Sequence, residues 1–329
     1  MLLSDRKTMT AARERRSGPA ALSIHGVSKT FGAVKALKAV DFEARPGEVC
    51  ALVGENGAGK STLMAVASGM LKPDEGTVAI AGAAMERISP TAARERGLAI
   101  VSQHPVLIPD LTVVENLILS LPADVRPKAA ELADWFRERI RSWEVDVDPH
   151  ARIEDIPLAH QHFIEIVRVL ALSPKVLILD EPTEHMNVAD VARLFGRIRA
   201  LAAAGTAIVY ISHRIHEVKS IADRVTVLRD GEIRGTFDAA SVTENEIVNL
   251  VVGRTLASAF PPKPAHIDRA APPILTVRDL RGAQFEDVSF SVRRGEIVGL
   301  AGIEGNGQRE FLRALAGLEA SRGVVEIAG

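Results

Sequence analysis

Short apolar runs recur along most of the chain: VCALV from Val49, LAIV from Leu98, VLILD from Val176, AIVYIS from Ala207 and VTVL from Val225. Each is of strand length and rich in β-branched residues. Between them lie stretches rich in Ala, Leu, Glu and Arg, such as AAELADWFRERIRSW from Ala129, which read as helices. Strand and helix in alternation predict an α/β domain whose mostly parallel sheet is covered by helices.

The ordered pattern starts at residue 22. Residues 1–20 carry Arg6, Lys7, Arg13, Arg15 and Arg16 with no sustained apolar face, which predicts a mobile tail. Residues 258–273 contain Pro261, Pro262, Pro264, Pro272 and Pro273, which predicts a linker, since proline removes backbone donors and disfavours helix interiors and central strands. After it the sequence starts again. VDFEARPGEVCALVGENGAGKST from Val40 lines up with VSFSVRRGEIVGLAGIEGNGQRE from Val288, and Gly54 matches Gly302 at an offset of 302 − 54 = 248. GTVAIAG (76–82) then matches GVVEIAG (323–329). The expectation is one complete unit, 21–257, and the beginning of a second, 274–329. That second copy is expected to be incomplete, since it stops where the first has reached Gly82.

Composition narrows the partners. Forty Lys+Arg against forty-two Asp+Glu leave a formal charge of −2, which does not recommend a nucleic-acid partner. The apolar runs fall far short of the ~20 residues of a spanning helix. MLLSDRKTMT has an acid and a lysine where a signal peptide needs an apolar core. The single cysteine, Cys50, lies in an apolar run and predicts a core position and a reduced, cytoplasmic compartment.

The chemistry begins at Gly54–Ser61, GENGAGKS, which fits the phosphate-binding pattern G-x-x-x-x-G-K-[ST] between a predicted strand and the helical STLMAVASGML. Glycines let backbone N–H groups converge on phosphate oxygens at a helix N-terminus. Lys60 then neutralises the β- and γ-phosphates and the Ser61 hydroxyl ligates Mg2+. The candidate nucleotide contacts are Gly54, Glu55, Asn56, Gly57, Ala58, Gly59, Lys60, Ser61 and Thr62. A dinucleotide site is excluded by the order of the glycines, G-x-x-G-x-G rather than G-x-G-x-x-G. VLILDEP (176–182) adds Asp180 and Glu181 at the carboxyl end of a strand, where ligands of open α/β sheets bind. One acid can hold Mg2+ through its water shell while its neighbour polarises the attacking water.

Together these motifs resemble the nucleotide-binding subunits of ATP-binding-cassette transporters, over essentially the whole chain from residue 22. The resemblance implies a P-loop NTPase cassette in which the core sheet is joined by an antiparallel β subdomain and, at about 104–157, a small helical subdomain. It assigns Phe31, in KTFGAVKAL, to stacking on adenine, the plain alternative being a core phenylalanine. Gln103, in IVSQHPVL, matches the glutamine that senses Mg2+ and faces the membrane partner. His213, in VYISHRIHEV and 213 − 181 = 32 residues after Glu181, matches the histidine that contacts the γ-phosphate. The implied catalytic residues are Glu181, His213 and Gln103, with Ser61, Gln103 and Asp180 at Mg2+ and ATP as the nucleotide.

ENGAGKSTLM, ADRVTVLRDGE and VVGRTLASAFPP resemble the ATPase subunits of bacterial importers for simple sugars such as ribose, and GIEGNGQRE the branch that carries nucleosides. Transmembrane permease subunits, a solute-binding protein indirectly, and a second cassette from the same or another chain are the implied partners. The implied location is the inner face of the cell membrane. A soluble tandem cassette acting on ribosomes or nucleic acid is the rival reading. It predicts a basic linker, whereas the cationic candidates within Ser258–Ala271 are Lys263, His266 and Arg269. A non-hydrolysing interaction fragment is the third.

Two places depart from the family pattern. The signature run that opens a helix ahead of the strand acids is occupied by IPLAH (156–160), with Pro157 in place of the serine that reaches the γ-phosphate. Proline is comfortable at a first helical position, so the helix is expected to survive without that donor. In the second copy Gln308 and Arg309 replace the lysine and serine of the loop, removing phosphate neutralisation and metal ligation there. Head-to-tail pairing of cassettes, as the family implies, would bring both degenerate halves to one composite site that does not turn over. The turn EHMN (184–187) also differs from the family's.

Overall fold

The computed structural model describes residues 19–253, 270–302 and 306–327. The chain divides into two compact units, Met1–Thr255 and Leu256–Gly329. Of the expected tail, residues 1–18 lie outside the described residues, as do residues 258–269 of the expected linker.

The five apolar runs become neighbouring strands. β3 (Val49–Val53), β6 (Leu98–Val101), β7 (Val176–Asp180), β8 (Ala207–Ile211) and β9 (Arg224–Arg229) are parallel, and β10 (Glu232–Asp238) adds an antiparallel edge, in the order β10-β9-β3-β8-β7-β6. Their continuous apolar character follows from cover on both faces. On β3, Val49, Ala51 and Val53 enter one core and Cys50 and Leu52 the other; on β7, Leu177 and Leu179 oppose Val176 and Ile178 in the same way. This is the period of two that a pleated strand imposes.

One of these cores is closed by an antiparallel sheet. β1 (Leu22–Phe31), β2 (Val34–Ala44), β4 (Glu75–Ile80) and β5 (Ala83–Ala84) pair in the order β2-β1-β4-β5 and bury Leu22, Ile24, Phe42 and Ile80. Helix α1 (Lys60–Ala67) packs Leu63 and Met64 into the same core. It is shorter than the run STLMAVASGML predicts, because Gly69 turns left-handed at φ 76° and ends it. Short helix α2 (Pro90–Glu95) precedes β6.

The other core is closed by helices. α3 (Val113–Ser120) carries a capping box in which Thr112 and Glu115 each satisfy the other's backbone N–H. α4 (Leu132–Arg141) and α5 (Leu158–Leu170) pack with it, burying Phe136 and Phe163 completely. Trp135 stays half-buried beneath the Arg139 guanidinium, 4.2 Å from its ring centroid. α6 (Val188–Ala203), α7 (Ile215–Ile221) and α8 (Glu244–Val252) complete the unit. None of the described helices is long and apolar enough to cross a membrane.

The second unit repeats the antiparallel sheet. β11 (Leu275–Gly282), β12 (Phe285–Val292) and β13 (Arg322–Ile327) lie in the order β12-β11-β13, matching β2-β1-β4, with helix α9 (Gln308–Leu315) against them. Even the register is shared: Leu22 pairs with Ala44 and Ile80, and Leu275 pairs with Val292 and Ile327. Its small core is Val277, Leu280 and Phe311. Residues 297–301, which align with β3, form no strand, and Ile297 is 90% exposed. In the first unit β3 is paired by β8 and β9. No described strand of the second unit flanks this run, so its backbone groups lack ladder partners.

Candidate functional site

β3 delivers the glycine loop to the start of α1. Gly59 caps that helix at φ 108°, where a Cβ would lie 2.6 Å from the Ala36 carbonyl oxygen, so glycine is required twice over. Lys60, the first helical residue, folds back over the loop and donates to the carbonyl oxygens of Gly54 at 2.7 Å and Glu55 at 3.0 Å. Burial pulls the Lys60 pKa down, and the charges of Glu181 and Asp180 push it back up.

β7 delivers the acids. Asp180 is its last residue, and burial followed by the Glu181 charge raises its carboxyl above the usual carboxylate range, against Lys60. Glu181 takes a left-handed φ of 47° and donates its backbone N–H to Ile211 at 2.9 Å, tying the end of β7 to the end of β8. His213, two residues beyond β8, then meets it: His213 Nδ1 lies 2.6 Å from Glu181 Oε2.

A cavity of about 680 Å³ gathers most of the sequence-derived residues: Asn56, Gly57, Gly59, Lys60, Ser61 and Thr62 from the loop, with Gln103, Asp180, Glu181 and His213 opposite. Gly54, Glu55, Ala58 and Phe31 stand outside its lining. Gly54 instead supplies the carbonyl that holds Lys60. Ala58 is buried in the core and accepts a backbone bond from Gly231. Glu55 lines a neighbouring cavity with Val248 and Val252 of α8. Phe31 is 49% exposed at the tip of the β1–β2 hairpin, with Lys29 Nζ 5.8 Å from its ring centroid, so it is no core phenylalanine.

Val34, Lys35, Ala36 and Lys38 of β2, with Asp230 and Gly231 of the β9–β10 turn, line the same cavity and were missed by sequence reasoning. No motif marks them; they arrive through strand pairing. Glu184, the first residue of the EHMN turn, also lines the cavity. Its Oε2 accepts from Gln103 Nε2 at 3.0 Å, and the bond draws the Glu184 carboxyl below its ordinary range. The turn that carries it is anchored: Thr183 donates its hydroxyl to the buried Glu217 at 2.6 Å, Tyr210 donates to the same carboxylate at 2.9 Å, and Arg214 reaches the Thr183 and Glu184 carbonyls at 3.3 Å. Asn187 closes the turn by capping α6.

The degenerate positions keep their local structure. α5 forms, but Pro157 is its N-cap rather than the expected first helical residue, because ψ 138° keeps it extended; its carbonyl accepts from His160 and Gln161. At the second loop Gly307 caps α9 at φ 83°, and a Cβ there would strike the Gln284 carbonyl oxygen. Gln284 matches Ala36 at the offset 284 − 36 = 248, so both loops press their last glycine against the same point of a hairpin. The side chain of Gln308 lies against Gly302, as Lys60 lies against Gly54. Packing alone explains why Gly307 is retained.

Ser61, Asp180 and Gln103 face one cavity with a hydroxyl, a carboxylate and an amide, a set of oxygen donors suited to a hard divalent cation such as Mg2+.

Residues 37–184 match the family model for the ABC transporter. Ribose import ATP-binding protein RbsA 2 of Rhizobium meliloti (strain 1021) is 44% identical over 299 residues, covering 90% of this chain and 58% of that protein. Ribose import ATP-binding protein RbsA of Chelativorans sp. (strain BNC1) is 43% identical over 89% of this chain and 58% of its own. The chain thus spans less than two thirds of these relatives. Among solved structures, the ADP conformation of an ATP-binding cassette of an ABC transporter superposes with a TM-score of 0.61 at 26% identity, covering 71% of this chain and 96% of that one. The first unit of this chain is an ATP-binding domain of the ABC transporter family.

Proposed function

We propose that the first unit binds MgATP in the cavity around Gly54–Thr62 and hydrolyses it, powering import of a sugar through a partner membrane permease. The observation that supports the chemistry is the convergence of Lys60, Ser61, Asp180, Glu181 and His213 on one cavity. In this reading the Lys60 ammonium exchanges two neutral carbonyl partners for phosphate oxygens, and the loop amides at the α1 N-terminus bind the remaining charge. Glu181, oriented by His213, accepts the proton of the attacking water. Ser61, Gln103 and, through water, Asp180 would hold Mg2+, which when bound screens the phosphate charge.

The names of the ribose import relatives support the transport class over the ribosome or nucleic-acid rival. Ribose-like sugars and nucleosides remain the two candidate solutes, and the inner face of the cell membrane the proposed location. The Gln308 loop, with no cation at the lysine position, serves as a half-site that does not turn over.

Calorimetry on the purified chain tests the reading, with uptake of millimolar ATP in the presence of Mg2+ as the expected result. No uptake by folded protein would sink it. Copurification discriminates the partner class: a membrane protein is expected, and recovery of nucleic acid instead would favour the rival.

A further inference from the structure

Gln103 and Glu184 are 81 positions apart in sequence and joined at 3.0 Å across the edge of the nucleotide cavity. An ionised carboxylate only accepts hydrogen bonds, so the group of Gln103 that faces it is the NH2. The amide oxygen is therefore turned away from Glu184. Of the two ends of an amide, only the oxygen can bind a hard cation.

We propose that Glu184 is a positioning residue that holds the Gln103 amide with its oxygen presented to the cation of the nucleotide. The proposal rests on the MgATP reading above and names a component of that site. Glu184 is suited to the task because its own backbone is held. Arg214 bonds the Thr183 and Glu184 carbonyls and the buried Glu217 carboxylate, while Thr183 bonds Glu217 from the other side. Gln103, by contrast, lies just beyond the end of β6, outside regular structure. A free glutamine there would sample rotamers and both amide orientations, and a tether to a fixed carboxylate removes that freedom before the cation arrives.

The test is the Mg2+ dependence of ATP binding, read by calorimetry at several Mg2+ concentrations on the full chain, with ATP affinity in EDTA as the reference. Glu184→Ala is expected to raise the Mg2+ needed for half-maximal enhancement about tenfold, the usual scale for losing a partner of a metal ligand, with affinity in EDTA unchanged. Glu184→Gln, whose amide oxygen still accepts from Gln103, should recover most of that loss. Gln103→Ala and the double variant should match each other, since the tether acts only through Gln103. Melting of each variant separates folding from positioning, and Glu184, one third exposed, is not expected to affect it. An Mg2+ dependence in Glu184→Ala equal to that of the wild type overturns the proposal, as does an equal affinity loss with and without Mg2+. If the wild-type chain takes up no ATP in either condition, the site itself fails and this inference falls with it.

Discussion

The Nδ1 of His213 lies 2.6 Å from Oε2 of Glu181, a contact made by the ends of two adjacent parallel strands. Asp180 is paired with Ile211, so the residues just beyond them emerge side by side although 32 positions separate them. Glu181→Gln is expected to lower ATP turnover ~10²–10⁴-fold while leaving ATP affinity intact, the scale of a lost general base. His213→Ala should lower turnover in the wild type and add little in the Glu181→Gln background, because the two act as a unit. Phosphate release and nucleotide binding measured on all three variants check this, and fully additive losses would break the pairing.

Lys60 and Gln308 occupy the same position, each the first helical residue after a glycine cap with left-handed backbone. Removing the Lys60 ammonium should weaken ATP binding at least ~10–100-fold, the worth of one or two hydrogen bonds to a charged group. Gln308→Ala, in a loop without that charge, should change binding and turnover less than ~threefold. Comparable losses from both substitutions would contradict a single live loop.

His162 of α5 is fully buried, and neither ring nitrogen meets a protein hydrogen-bond partner. Burial, then the nearby His185 and His104, push its pKa down to about 4, with Glu184 opposing. The unfolded chain protonates this residue from about 6.5 downward while the folded chain does so only near 4. The unfolded state thus binds more protons in that window, and stability falls as pH drops from about 6.5 towards 4. His162→Leu should remove ~1–3 kcal/mol of that acid sensitivity, seen by comparing urea midpoints at pH 7.5 and 5. An unchanged pH slope in the variant would exclude His162 as its source.

Glu217 accepts from Thr183, Tyr210 and Arg214 in the interior. Glu217→Ala leaves a partly buried guanidinium and two buried hydroxyls without that acceptor and should cost ~2–3 kcal/mol. Tyr210→Phe, which removes one donor and preserves shape, should cost ~1 kcal/mol. Denaturant unfolding of both variants gives the comparison, and equal costs would show that Glu217 is not the hub.

Much of this molecule was legible in order. The five apolar runs predicted the parallel strands because a strand covered on both faces has no polar position to spare. GENGAGKS predicted the loop because Gly57 and Gly59 need left-handed backbone, a demand local enough to be written in the residue types themselves. The repeat at an offset of 248 predicted that the chain begins again after the linker; that this second copy forms the same antiparallel sheet, in the same register, is a finding of the structure. The repeat did not carry 297–301 into a strand, since a parallel strand is made by its neighbours.

What the residues determined alone were elements and reactive groups: where strands begin, where a helix N-terminus meets glycines, which acids end a strand. Tertiary structure decided which groups meet. Lys35 and Lys38 reach the cavity because β2 folds over the glycine loop, Glu184 reaches Gln103 across 81 positions, and Phe31 stands outside the lining. The physical reason is that local conformation is set by neighbours within a few residues. Contacts at a site depend on strand order and on turn geometry, which are fixed only when distant runs share one core.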